Sequence, residues 1–558
     1  MHNYSSILQT CFDKIFEQDF VEVIPNIPNI KKEKYVQCWH IKTEVDIQGM
    51  SNNIDLYVGI PNSFPYVIPD FYYFDSQYDY FPHIDYQNRK LCIFEENLVL
   101  NVEYPELIIL SCLKQAKRVI SNGINNQNIM DFTQEVESYW TLSYNNESTV
   151  DTRYIIYGTQ PEKIEVLNIL QHYNGNKLIV NDNDLQFVRK HFHSVVVGKI
   201  LFLPRFTISR RPPYVITWQG LKDCVDQVDL DEIERFIRTT GCLNILFPLA
   251  NNSLFGGVYF ERINTRINGF RDTYFTPVKA LNKIYKTKKI PRIMAKAYNK
   301  NRIEGRTSGG ISTPYKFSIV GCGSIGSNLC SFLRSYNDAS FVLVDNDLFT
   351  IDNIGRHLLG FDSINQFKTV AIKNVLQSTR PEMDVQAISR SSYDCSVSSF
   401  VESSAIFFCT GNLMAELELL GRFTKHNVLT PKFIVWFEPY AIAGHMIYLN
   451  KLDNDRTLQS LFTNELYKHN LIRPEEYKNP DAFTKRDAGC NGSYTLYSGN
   501  DVMLFLSAIF PLICDLINSD SPSTCYRWIG NTQIAIEKRI GIFQTEMQKY
   551  QIETFPIQ

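Results

Sequence analysis

Two cysteines in this sequence stand where acyl-transfer chemistry would place them. Cys490 lies in Arg486-Asp-Ala-Gly-Cys-Asn-Gly-Ser493, a polar, glycine-rich stretch before an apolar helix starting near Val502. A loop thiol beside an arginine and near a helix start can be stabilised as thiolate, the nucleophilic form. Nothing bulky flanks it, so an activated acyl group could approach. Cys92 lies in Phe81-Pro-His83-Ile-Asp-Tyr-Gln-Asn-Arg-Lys-Leu-Cys92-Ile-Phe. The competing reading for both is an inert cysteine, since the chain holds 13 of them. Leu91 and Ile93 would equally suit a buried strand at Cys92.

A third constellation could bind a nucleotide. Lys316–Val320 is a short apolar strand, followed directly by Gly321-Cys-Gly323-Ser-Ile-Gly326. Ile325, Leu329, Phe332 and Leu333 then repeat at helical spacing, and a second strand, Phe341–Val344, ends in Asp345. Glycines there permit a tight turn and close backbone approach, and the helix N-terminus offers N–H groups to an anion. Asp345 falls where a carboxylate accepts ribose hydroxyls. The alternative is a packing turn between strand and helix. Asp347, Asn353, Arg356 and Lys368 follow, and so polar and cationic a cluster suits a triphosphate better than a nicotinamide. Charge developing on an α-phosphate needs fixed donors, which Asn353, Arg356 and Lys368 can supply.

The elements that must position these residues fall into three regions: 1–145, 146–300 and 301–558. The first opens with a helical pattern (Ile7, Cys11, Ile15, Phe16). It continues with alternating apolar residues (Ile54, Leu56, Val58), prolines at 61, 65 and 69, and a second helical pattern near Leu107–Ile120. Ser143–Asp151 reads as a connector. In the middle region Val195–Leu203 and Leu243–Leu249 read as buried strands and Asp229–Ile237 as an amphipathic helix. With no catalytic constellation, it is expected to be a mixed α/β scaffold or docking domain. Basic residues between Lys283 and Arg306 lack an aromatic ladder and read as a solvated helix face. The Gly-Ser-rich Arg306–Ser312 segment reads as a flexible lead-in to the third region.

With 56 basic and 59 acidic residues the net charge is -3, so no global field draws the chain to nucleic acid or membrane. Hydrophobic residues make up 44% and charged ones 21%, as in a folded, soluble protein. The cysteines form no CxxC pair and suit a reducing compartment. The start lacks the pattern of a signal peptide. The apolar run Val502–Ile517 is broken by Pro511 and Asp515 and falls short of a span, which favours a buried helix. The expected location is the cytoplasm.

The third region resembles the ubiquitin-activating superfamily that includes ThiF and MoeB. The resemblance rests on the GxGxxG strand, Asp345-x-Asp347, Asn353-x-x-Arg356 and Lys368, and it covers about 300–558. It implies a Rossmann-like adenylation fold, ATP and magnesium as cofactors, Asp345 on ribose, and Asn353, Arg356 and Lys368 on phosphates. The family usually carries a metal-binding Asp after the fourth strand; here Phe408-Cys-Thr-Gly-Asn412 puts Gly411 in its place. The metal ligands stay open between Asp347 and the nucleotide itself.

Around Cys490 the chain resembles the crossover cysteine region of activating enzymes fused to conjugating domains. Residues 1–145 resemble an α+β ubiquitin-conjugating domain, with Cys92 as its thioester cysteine. The oxyanion-holding Asn is missing from its usual place after His83, with Asn88 or a backbone N–H as substitutes. His83 itself reads as a brace for the loop rather than a general base. The order of domains resembles the E1–E2 fusion family of bacterial CBASS antiphage systems. That resemblance implies a homodimer, and as substrate the C-terminus of a cGAS/DncV-like nucleotidyltransferase. The implied sequence is adenylation with ATP, a thioester on Cys490, transfer to Cys92, and an isopeptide on an acceptor amine. A ThiF-like enzyme activating a sulfur carrier, or a silent binding scaffold, are the rival readings.

Overall fold

The computed structural model describes residues 4–30, 34–78, 80–94, 99–142, 150–158, 161–206, 212, 214, 216–250, 254–260, 262–266, 268–271, 274–307, 313–336, 338–464, 466–478, 483–486, 493–543 and 548–557. Most of the connector expected at 143–151, and 308–312 of the lead-in, lie outside them. The chain forms two compact units, Met1–Ile303 and Glu304–Gln558.

The first unit opens with the helix Tyr4–Phe16, whose Leu8, Cys11 and Ile15 are buried along one stripe. Phe16, expected on that stripe, is exposed; one residue past Ile15 it sits about 100° around the helix. Strands Phe20–Ile24, Gln37–Ile47, Met50–Ile60 and Asp70–Tyr72 follow as an antiparallel meander. Gln48 and Gly49, both at positive φ, make the two-residue turn whose twist matches paired strands. Ile54, Leu56 and Val58 alternate into the core beneath the helix Pro105–Ile124. Gly123 of that helix lies so near Phe81 that an added Cβ would sit 2.3 Å from its ring. Phe81 is thereby fixed, and with it the start of the Pro82–His83 loop.

Seven further strands of this unit close a barrel. Their spatial order is Leu254–Phe260, Arg292–Tyr298, Val150–Tyr157, Lys177–Val180, Glu165–Gln171, Val195–Phe202 and Leu243–Ala250. The helix Gln227–Thr240, capped by Asp226 and ended by Gly241 at φ 71°, packs against it. Two expectations need correction. Val195, Val196 and Val197 are exposed, because Leu243–Ala250 pairs with their strand only at Leu201 and Phe202. The basic stretch near 292–298 is a strand rather than a helix face. Its Arg292 is buried, donating to the Trp140 carbonyl at 2.7 Å, and Ile293, Ala295 and Ala297 fill the barrel.

The second unit is built on an eight-stranded sheet. In spatial order its strands are Val385–Ile388, Ala339–Val344, Tyr315–Val320, Ala405–Phe408, Lys432–Phe437, Ala443–Leu449, Thr524–Ile529 and Ile552–Pro556. The first five run parallel and the rest antiparallel. The chain starts at Tyr315–Val320, winds outward on one side, then returns to Ala405–Phe408 on the other. Those two neighbours form the switch point where such sheets bind ligands at their carboxyl ends. The helix Gly499–Ile517 has 19 residues, long and apolar enough by composition to cross a membrane. Its length exceeds the apolar run because Ser498 and Asp501 form a capping box ahead of Val502. One face, including Val502, Phe505, Leu506, Ile509 and Ile513, is buried in the sheet's core.

Candidate functional site

The site of the second unit is built around Gly321. Its φ of 91° favours a residue without Cβ, and an added Cβ would lie 2.7 Å from the Cys409 carbonyl carbon on the adjacent strand's exit. Five residues on, an added Cβ at Gly326 would lie 2.0 Å from the Gly321 carbonyl oxygen. Gly323 is the residue before the helix Ser324–Leu333, and the space beside its missing Cβ is open. The turn is therefore close-packed behind and open in front. The first-turn N–H groups of that helix, lacking intrahelical acceptors, can face an anion.

Asp345 closes the turn from the second strand. Its Oδ2 accepts from Cys322 N–H at 2.6 Å and its Oδ1 from Asp347 N–H at 2.8 Å. Each carboxylate oxygen keeps acceptor capacity for a ribose hydroxyl. Burial raises its pKa above the ordinary carboxylate value, opposed by those N–H groups and by Lys368. Lys368, buried at the start of the helix Lys368–Thr379, pairs with the exposed Asp347 carboxylate at 2.7 Å. A phosphate reaching Lys368 would compete with that carboxylate.

Asn353 and Arg356 share the short 3-10 helix Ile351–Arg356. Asn353 Oδ1 accepts from Thr350 N–H and Oγ1–H, so a phosphate contact falls to Nδ2. Arg356 lies over the Tyr497 ring, 4.7 Å from its centroid, and donates to the Thr495 carbonyl at 3.1 Å. Tyr497 in turn hydrogen-bonds Ser324, inside the glycine turn, at 2.6 Å. The strand Ser493–Thr495 and the residues just after it are thus tied to the turn and to Arg356. Cys490 itself lies outside the described residues.

Two further groups escaped the sequence reading. His357 Nε2 donates to the Cys322 carbonyl at 2.8 Å, and Nδ1 accepts from Leu359 N–H. Burial pushes this imidazole down to about 4, so it braces the turn as a neutral donor. Glu416, buried under the Thr410-Gly411-Asn412 loop, accepts from Thr410 Oγ1–H at 2.6 Å. The type of His357 was visible beside Arg356, but its partner was not. Glu416 carried no signal, since a glutamate in a helical pattern ordinarily faces water.

Burial raises the Glu416 carboxyl from 4.5 to about 7, against the pull of its Thr410 and Asn412 bonds. Below 4.5 both folded and unfolded forms hold the proton and nothing is lost. As pH climbs to about 7 only the unfolded form ionises, so stability drains away. Glu416→Gln should therefore match the parent at pH 4 and exceed it by about 3 kcal/mol at pH 8. Denaturant titrations of both proteins across that range decide it; parallel curves would rule the buried acid out.

No group of three His, Cys, Asp or Glu able to hold a metal occurs among the described residues. Gly411, at φ 62°, offers no side chain where a metal-binding carboxylate was expected.

In the first unit Cys92 is exposed, whereas the other described cysteines are buried or half-buried. The buried-strand reading of this residue fails because Leu91 and Ile93 turn inward and leave the thiol on the outer face. Asn88 Oδ1 accepts from Lys90 N–H in the Asp85–Arg89 turn, so its role there is to shape the loop.

Residues 29–149 match the Prokaryotic E2 family B and residues 313–462 match the ThiF family. The chain therefore carries an E2-like domain followed by a ThiF-like activating domain, the make-up of an E1/E2-like ligase. No curated protein sequence matches it. Among solved structures, PaaA is 12% identical with a TM-score of 0.32, over 44% of this chain and 73% of that one. Escherichia coli MccB with MccA-N7isoAsn is 14% identical with a TM-score of 0.29, over 44% of this chain and 64% of that one. Escherichia coli tRNA N6-threonylcarbamoyladenosine dehydratase, TcdA, is 14% identical with a TM-score of 0.22, over 26% and 61%.

Proposed function

We propose that this chain, an E2-like domain joined to a ThiF-like activating domain, carries a protein's C-terminus from ATP to an acceptor amine. The observation that carries the reading is one polypeptide holding both a phosphate turn at a sheet switch point and an exposed cysteine in an E2-type domain. A carboxylate is a poor electrophile. Its oxygen attacks the α-phosphorus of ATP, and pyrophosphate leaves. Asp345 holds the ribose, and Lys368 and Arg356 take up the charge that develops on the phosphate. Cys490 then attacks the acyl adenylate and AMP departs. The acyl group passes to Cys92, and a lysine amine takes it as an isopeptide. Dividing the transfer among covalent stages lowers each barrier.

Magnesium in this scheme is carried by the triphosphate, since Gly411 supplies no ligand. The substrate we favour is the C-terminus of a cGAS/DncV-like nucleotidyltransferase, in a cytoplasmic antiphage role and with the enzyme as a homodimer. Support for that choice is the order of the two domains.

The test incubates the full chain with ATP, magnesium and such a nucleotidyltransferase, then runs gels with and without reductant. A thiol-sensitive adduct is expected, lost in Cys490→Ala. Cys92→Ala should keep the first thioester and block the final conjugate. Pyrophosphate exchange should survive Cys490→Ala. Exchange absent from the parent protein would leave a binding scaffold as the better reading.

A further inference from the structure

His83 faces Cys92 across a short antiparallel bridge. Ile84 pairs with Leu91, Cys92 N–H donates to the His83 carbonyl at 2.8 Å, and Asp85 N–H donates to the Lys90 carbonyl at 2.7 Å. Residues opposite one another in such a bridge send their side chains to the same face. The imidazole and thiol accordingly lie side by side on one face, where the Cys92 thiol also has the Phe94 carbonyl at 3.9 Å. The ring is gripped elsewhere too: Nε2 meets Asp131 Oδ2 at 2.9 Å. Glu135 Oε1 lies 3.6 Å from Nδ1. The His83 backbone is left-handed, at φ 64°, a conformation that costs a residue with a Cβ of order 1 kcal/mol. It is held there by its N–H, which donates to the Tyr139 hydroxyl at 3.0 Å.

The groups facing this imidazole are Cys92 from the bridge and Asp131 and Glu135 from the segment after the helix Pro105–Ile124, while the Tyr139 hydroxyl meets the backbone N–H. The bond to Cys92, then Asp131 and Glu135, outweigh burial and lift His83 to about 9. A purely bracing histidine would need only the Asp131 and Tyr139 contacts. Nothing in bracing requires the ring to lie against the one exposed thiol among the described cysteines.

We propose that Cys92, His83 and Asp131 form a relay in which His83 takes the thiol proton and Asp131 holds the imidazole in place. The acyl-transfer part of this inference rests on the function proposed above. The Cys92 S–H proton moves to His83, and the sulfur attacks the incoming thioester carbonyl. The new C–S bond forms, the donor's C–S bond breaks, and the donor sulfur leaves as thiolate. When an amine later attacks, its nitrogen bonds the carbonyl carbon and Cys92 departs as thiolate beside the imidazolium. The ammonium proton is lost to water. Such a relay gives the domain its proton handling without the Asn missing from the loop.

The experiment needs neither ATP nor substrate. The full chain is treated with iodoacetamide from pH 5.5 to 9, and modification of Cys92 is followed by peptide mass spectrometry. At pH 6.5 the parent's Cys92 should react at least about 10-fold faster than that of His83→Gln, with Asp131→Asn between them. The parent's pH profile should be shallow, and that of His83→Gln should rise steadily with pH. Equal rates and parallel profiles in all three proteins would overturn the relay. If circular dichroism finds His83→Gln unfolded, Asp131→Asn against the parent decides alone. Fast, His83-dependent alkylation without any ATP-dependent thioester would sink the conjugation reading and leave the relay standing.

Discussion

Lys368→Ala is expected to lower ATP–pyrophosphate exchange by about 10²–10³-fold, the usual cost of deleting one preorganised donor to a charged transition state. The structure separates this effect from unfolding. Lys368 is buried, yet its ion-pair partner, Asp347, has a side chain 62% exposed. Removing the lysine leaves Asp347 to water, and Asp345 keeps the Cys322 and Asp347 N–H groups that hold its carboxylate. Destructive effects of a broken ion pair come from the partner left buried, and here none is. The substitution should shift thermal unfolding little while exchange collapses. Asp347→Asn provides the internal contrast. It frees Lys368 from its carboxylate and should retain exchange far better than Lys368→Ala. Unchanged exchange in Lys368→Ala would remove the adenylating pocket from the proposed function, whatever the cysteines do.

Much of that pocket was legible in the sequence because its parts are local. The strand ending at Val320, the glycines at 321, 323 and 326 and the acid at 345 lie within 30 residues or so, and each follows from a backbone requirement. The switch point between Tyr315–Val320 and Ala405–Phe408 was not read from the sequence, because it depends on which side of the first strand the chain returns to. What could not be read joins residues far apart in the chain. Tyr497 bonds Ser324 and Arg356 bonds Thr495; no periodicity marks such a partnership. His83 and Asp131 meet for the same reason, on opposite sides of the helix Pro105–Ile124 in sequence. The helix Gly499–Ile517 is a different kind of miss: Ser498 and Asp501 spelled its start, but hydropathy alone placed it too late. The exposed valines at 195–197 show the limit of apolar runs as evidence of burial, since pairing decides whether a strand is covered.

Gly326→Ala is expected to destabilise the second unit by more than about 3 kcal/mol, although the same change in an isolated helix would stabilise by about 1. The position is helical and imposes no unusual dihedral, so conformational freedom is not the reason for glycine. Space is. The new methyl would lie 2.0 Å from the Gly321 oxygen and 3.2 Å from Ile319 Cγ2. The first is backbone, fixed by Gly321 N–H donating to the Val344 carbonyl and by the wall of Cys409, so neither side can yield without opening the sheet. Gly323→Ala gives the matched comparison, because nothing lies within 4 Å of its added methyl. That variant should unfold within about 1 kcal/mol of the parent, since an alanine ahead of a helix costs little more than a weak cap. It should nevertheless bind ATP poorly, its methyl standing where the phosphate must approach the helix N-terminus. Chemical denaturation and equilibrium nucleotide binding on the two variants separate the roles. If Gly323→Ala bound ATP as the parent does, the open side of the turn would not be where the nucleotide sits. If Gly326→Ala were as stable as the parent, close packing between strand, turn and helix would not be what the third glycine provides.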